Sequence, residues 1–117
     1  MKSNNQILDM SFDFALQIIE LYKTLVDKKE FVLSRQLLKS GTSVGANVEE
    51  AIAAQSRKDF ISKMSIASKE SRETRYWLKL LNKSQLVRLD YTPYLLTANH
   101  IVNLLTKIVK TSQGGLP

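Results

Sequence analysis

The side chains able to do chemistry are mostly cations, and they are concentrated in one stretch. Between Arg57 and Lys83 the chain carries eight Lys or Arg against three acids. Residues 1–30 hold four Lys against five acids. On a helical wheel of about 100° per residue with Phe60 at zero, Arg57 and Arg75 fall near +60°. Lys58, Lys69, Arg72, Lys79 and Lys83 fall between about +100° and +180°, and only Lys63 departs from this flank. Asp59, Glu70 and Glu73 lie on the opposite flank, between about −80° and −140°, together with Ile66 and Trp77. A rod charged this way suits the phosphates of a nucleic acid, an acidic protein surface or a second copy of the chain. A solvated face that merely keeps the protein in solution has the same appearance.

Catalytic constellations are scarce. His100 is the single histidine and there is no cysteine, so a zinc site would rest on carboxylates that show no ligand spacing. No base is marked for a serine nucleophile. Gly41-Thr42-Ser43-Val44-Gly45 lacks the lysine and the preceding strand of a phosphate loop. The pairs Glu49/Glu50 and Glu70/Glu73 lack the Glu-x-x-His motif of a di-iron bundle. No catalytic residue, metal or cofactor is expected. An enzyme built around His100 is the least favoured reading.

The elements that position these cations are helices. The 117 residues make one domain, with 44% apolar and 24% charged residues and a net charge of +6. The absence of cysteine suits a reducing, cytoplasmic compartment, and no apolar run is long enough for a membrane span. Phe12, Ala15, Ile19, Tyr22 and Val26 form a helical stripe that predicts a first helix over 11–28, capped by Ser11. Leu33, Leu37, Val44, Val48 and Ile52 keep one phase over 31–55. That phase continues through Gly41 and Gly45, whose four-residue spacing puts both on one face for close packing against a neighbour. Ser56 and Asp59 open a third helix over 57–83, with Phe60, Met64, Ala67, Ser71, Thr74, Leu78 and Leu81 in a heptad rhythm. Thr92-Pro93 opens a fourth over 93–111, carrying Tyr94, Ala98, Ile101, Leu105 and Ile108. Residues 112–117 read as a frayed tail. The fold class is therefore all-α, an antiparallel four-helix bundle.

Two blocks carry a family resemblance. The first is Ser34-Arg35-Gln36-Leu37-Leu38-Lys39-Ser40-Gly41-Thr42-Ser43-Val44-Gly45-Ala46-Asn47. The second runs from Ser56-Arg57-Lys58-Asp59-Phe60 through Ile66-Ala67-Ser68-Lys69-Glu70 to Glu73-Thr74-Arg75-Tyr76-Trp77-Leu78. Together they resemble the bacterial bundle family named for the 23S rRNA intervening sequence, sometimes labelled a ribosomal protein. The accessory protein of diversity-generating retroelements belongs to the same group. The resemblance implies a ring, commonly a homopentamer, linked to structured nucleic acid: ribosomal RNA, or retroelement RNA or DNA with its reverse transcriptase. It implies no enzymatic activity. After Asn47 many relatives read Ile-Ala-Glu-Gly, where this chain has Val48-Glu49-Glu50-Ala51.

The leading expectation is a ring-forming protein that binds nucleic acid through Lys58, Lys69, Arg72, Lys79 and Lys83. Arg57, Arg75, Asp59, Ile66, Glu70, Glu73 and Trp77 are the candidates for the contact between subunits. The alternative is an adaptor whose basic face docks an acidic protein.

Overall fold

Glu30 sets the first corner of the molecule. Its carboxylate accepts hydrogen bonds from the backbone N–H groups of Val32, Leu33 and Ser34 at 3.1, 3.1 and 2.7 Å. These donors have no partner inside the helix that follows, so a single side chain satisfies a helix start that Val32 itself leaves uncapped. Just before it, Lys29 takes a left-handed conformation with φ 66°, which ends the preceding helix.

The computed structural model describes residues 2–114, with side chains from Gln6 onward. Four helices follow one another: α1 (Lys2–Asp27), α2 (Leu33–Ile52), α3 (Arg57–Ser84) and α4 (Thr92–Gly114). They form a rod of 50 × 22 × 21 Å. Each helix packs against its neighbours in the chain, and α4 closes back onto α1. The cross-helix contacts show the directions. Gly41 and Gly45 meet Ile18 and Ser11, in reverse order along α1. Ser40 meets Thr74 while Glu50 meets Lys63. Arg72 meets Thr106 while Arg75 meets Asn99. All three seams are antiparallel.

The third helix follows its sequence closely. The Ser56 hydroxyl accepts from the Asp59 N–H at 3.0 Å, and Gln85 closes the far end in a left-handed conformation. Met64, Ala67, Ser71, Thr74, Leu78 and Leu81 are all buried, with Ile61 taking the inner position expected of Phe60. In α2 the helix runs unbroken through both glycines, and Leu37, Val44 and Val48 are fully buried. Ala51 rather than Ile52 completes that stripe, leaving Ile52 exposed.

The first helix departs from expectation in two ways. It starts at Lys2, because Ile7, Leu8 and Met10 extend the apolar pattern upstream and no Pro or Gly interrupts it. Ser11 is therefore no cap. It is a buried mid-helix residue whose hydroxyl donates to the Leu8 carbonyl. The inward face is Ile7, Phe14, Ile18, Leu21 and Leu25, whereas Phe12 and Ile19 of the expected stripe are exposed. The fourth helix runs three residues past 111, to Gly114, so 112–114 are helical and not frayed. Residues 115–117 of the expected tail lie outside the described residues. At the head of α4 it is Asp90 whose carboxylate accepts the Thr92 N–H, at 3.0 Å, and this contact holds the Asp90 carboxyl below its ordinary range.

Candidate nucleic-acid interface

A 28-residue helix extends about 42 Å at 1.5 Å per residue, and α3 displays its cations along most of that length. Lys58, Lys69, Arg72, Lys79 and Lys83 are all exposed. None of the five enters a salt bridge among the described residues; the two ion pairs there are Lys63–Glu50 and the surface pair Lys23–Glu20. Two arginines define the edge where this row borders α4. Arg75 Nη1 donates to Asn99 Oδ1 at 3.2 Å, and Arg72 Nη2 donates to Thr106 Oγ1 at 2.7 Å. The sequence reading assigns Arg75 to the contact between subunits and Arg72 to nucleic acid, yet both reach across to α4 of the same chain. Arg57 is exposed at the head of the helix and is engaged within the fold.

The other edge of α3 borders α2. Lys63 Nζ lies 2.9 Å from Glu50 Oε1, and that carboxylate raises the lysine pKa. Glu70 is pushed up chiefly by burial, then by the neighbouring charge of Glu73, with Lys69 and Lys39 opposing. Glu73 Oε2 accepts the Trp77 indole N–H at 3.2 Å. Trp77 is half-buried against the core, and Tyr76 meets it edge-on with ring centroids 5.1 Å apart. Outermost on this helix stand Ile66, Tyr76 and Leu80, exposed by 38, 54 and 37%. Asp59 serves the cap through its backbone N–H. The candidate interface residues thus divide: Glu73 and Trp77 are coupled to each other, Arg75 belongs to the α4 edge, and Ile66 faces outward.

Two features escaped the residue reading. The exposed Lys107 and Lys110 of α4 extend the cationic surface past Thr106, the partner of Arg72. The outer face of α1 carries Phe12, Leu16 and Ile19, exposed by 64, 49 and 37%. The sequence reading assigns Phe12 and Ile19 to the core stripe and passes over Leu16. His100 is exposed on α4 and borders a shallow cleft with Asp13, Phe14 and Gln17 of α1. Among the described residues no three His, Asp or Glu side chains are placed to hold a metal ion, and no helix is long and apolar enough to cross a membrane.

This bundle, with its glycine-marked second helix and charged third helix, has known counterparts. The sequence matches the family described as 23S rRNA-intervening sequence protein over residues 3–107. The chain belongs to that family. A solved structure agrees: the crystal structure of a protein with unknown function from the S23 ribosomal protein family of Bacteroides thetaiotaomicron. It is 48% identical, with a TM-score of 0.86, and the match covers 92% of this chain and 98% of that one. No curated protein matches the chain. Within this chain, both sequence blocks fall on the α2–α3 hairpin, and the family match spans all four helices.

Proposed function

We propose that this chain is a non-enzymatic, cytoplasmic accessory protein that assembles into a ring, a pentamer on the family resemblance. It binds structured nucleic acid, rRNA-like or retroelement RNA or DNA, through the basic outer edge of α3 and the adjoining lysines of α4. The observation that carries this reading is the row Lys58, Lys69, Arg72, Lys79 and Lys83. The row is solvent-exposed on one rigid helix and has no carboxylate partner among the described residues. Cations held at fixed spacing along some 40 Å release counterions from a polyanion, so affinity must fall steeply with salt.

Titration of a fluorescent RNA hairpin at two salt concentrations tests it. Binding is expected at low salt, with log affinity falling linearly against log salt. Replacing Lys58 and Lys107 by Ala should shallow that slope by about 1 for each lysine. No binding at low salt, or an affinity indifferent to salt, would overturn the proposal. Tyr76 and Leu80, exposed amid the cations, favour a second reading in which an acidic protein docks here. A partner recovered after nuclease treatment would decide for that reading.

A further inference from the structure

We infer that one end of the rod, built by the α1–α2 and α3–α4 connections, docks on an anionic lipid surface. Phe31, Val32 and Leu86 enter the bilayer interface there, and a collar of cations meets the headgroups. This end is distinct from the nucleic-acid edge proposed above, and only Lys83 is common to both.

Alternation makes α1 and α3 parallel, so both stop at the same end of the bundle. Each stops on a left-handed residue, Lys29 with φ 66° and Gln85 with φ 49°, and each connection then puts large apolar side chains into water. Phe31 and Val32 are exposed by 53 and 72%, and Leu86 by 61%. The core does not use them, since Val87 and Tyr91 of the second connection join it instead. A corner does not require them either: the α2–α3 connection at the opposite end reads Ala53-Ala54-Gln55-Ser56. Their backbones are tied down locally. The Val32 N–H donates to the Glu30 carboxylate at 3.1 Å, and the Leu86 N–H donates to the Ser84 hydroxyl at 3.2 Å. Large apolar side chains gathered at one exposed end mark a contact surface.

The chemistry of this end selects the partner. Lys28, Lys29 and Arg35 flank Phe31 and Val32 in the chain, and Lys83 and Arg88 flank Leu86. All five are exposed, and none enters a salt bridge among the described residues. The acids here are Asp27, Glu30 and Asp90, so the balance is positive. Glu30 and Asp90 are committed to backbone N–H groups at the heads of α2 and α4. The uncharged polar side chains of the two connections also turn back onto their own backbone. Gln85 bonds Asn82 and Leu89, and the Tyr91 hydroxyl donates to the Val87 carbonyl at 2.8 Å. Reading a base edge needs directional donors and acceptors, and these are spent. Val32 and Leu86 are aliphatic and have no ring to stack on a base. A lipid interface asks for neither. Hydrocarbon takes the aliphatic side chains, and headgroup phosphates take cations without fixed geometry. The long stems of Lys and Arg let the collar stay at headgroup level while Val32 and Leu86 go deeper. The contact is peripheral, since no helix among the described residues is long and apolar enough to cross a membrane. In a cyclic ring every copy points this end the same way, so weak contacts at single tips would reinforce one another.

Flotation of the full chain with lipid vesicles tests the docking. The chain should float with vesicles of equal parts phosphatidylcholine and phosphatidylglycerol, and not with vesicles of phosphatidylcholine alone. Val32→Ser with Leu86→Ser should lower the partitioning about tenfold or more. Helical circular dichroism should be unchanged, because both side chains lie outside the core. Lys58→Ala with Lys107→Ala, on the nucleic-acid edge, should leave the partitioning nearly as it was. Phe31→Trp adds a second readout: on the anionic vesicles its emission should shift to the blue relative to wild type. No flotation with the anionic vesicles would overturn the proposal and leave the nucleic-acid reading standing. Flotation that survives the Val32/Leu86 variant and falls with the Lys58/Lys107 variant would also overturn it, because the charges of α3 and α4 would then be the cause. A Val32/Leu86 variant that keeps the vesicles but loses the RNA hairpin would give this end to nucleic acid instead.

Discussion

The two seams on either side of α2 are built from opposite materials. Toward α1 the seam is apolar and close. A Cβ added at Gly41 would sit 2.8 Å from Ile18 Cγ2, and one at Gly45 would sit 3.3 Å from the Ser11 carbonyl oxygen. Toward α3 the seam is polar. The hydroxyls of Ser40 and Thr74 lie 2.9 Å apart in full burial, and Glu50 meets Lys63. The first seam depends on shape, because a missing side chain lets two helices approach. The second depends on matched polar partners, because each buried hydroxyl must find an acceptor. One helix therefore answers to steric change on one side and to lost hydrogen bonds on the other.

The largest effect should come from filling the glycine contact. The atoms facing Gly41 are the branch point of a buried Ile, close to the α1 backbone and unable to swing aside. Gly41→Leu should destabilise by about 3 kcal/mol, through overpacking that helix propensity cannot offset. Gly41→Ala should show a smaller net loss, since the ~1 kcal/mol gained in propensity opposes the clash. Denaturant unfolding at one fixed protein concentration measures both, a fixed concentration being needed because self-association shifts apparent stability. A Gly41→Leu variant as stable as wild type would mean that the seam is not close in solution.

These glycines and the α3 heptad were legible in the sequence because each problem had one solution. Apolar phase carried across Gly41 and Gly45 excludes a break. In α3 the heptad of small and apolar residues runs unbroken from Met64 to Leu81, whereas the outer pair Ile66 and Leu80 is interrupted by Glu73. In α1 the periodicity was equally clear and yet misleading. Phe12, Ile19 and Val26 recur as regularly as Phe14, Ile18 and Leu25, so the helix carries two apolar lanes. Periodicity finds a lane but does not say which one faces inward. The choice is made by tertiary packing, since Ile18 and Ser11 must meet the glycines of α2. The cationic row on α3 was visible at the level of the wheel. The hydrogen bonds of Arg72 and Arg75 to α4 were not, because they depend on the register between two helices distant in sequence.

The polar seam yields a smaller effect with a sign that distinguishes it from the first. Thr74→Val keeps the shape but removes the partner of the Ser40 hydroxyl. That hydroxyl is left with only a 3.4 Å approach to the Leu37 carbonyl. The expected loss is about 1–2 kcal/mol. Adding Ser40→Ala removes the stranded group, so the double variant should be no less stable than Thr74→Val alone, and a double-variant cycle reads the coupling directly. A loss that simply adds would show that the two hydroxyls act independently.

The smallest effect is also the one that pH can isolate. Burial, reinforced by the charge of Glu73, raises the Glu70 pKa above its ordinary value of 4.5. Between that value and the folded one, the native state binds more protons at this position than the unfolded chain does. Stability therefore falls as pH rises through this window and stays reduced above it. Only well below pH 4.5 are both states fully protonated, and there the difference disappears. Glu70→Gln imitates the protonated form, so it should raise stability slightly at neutral pH and match the wild type in acid. The gain is held small by solvent, since the carboxylate is only partly buried. Paired urea titrations at neutral pH and at about pH 3 would show the two curves merging in acid. A variant less stable than wild type at neutral pH would instead mean that the Glu70 carboxylate is held by Lys69 and Lys39. The α2–α3 seam would then be an ion-pair seam, and not one that merely tolerates a half-buried acid.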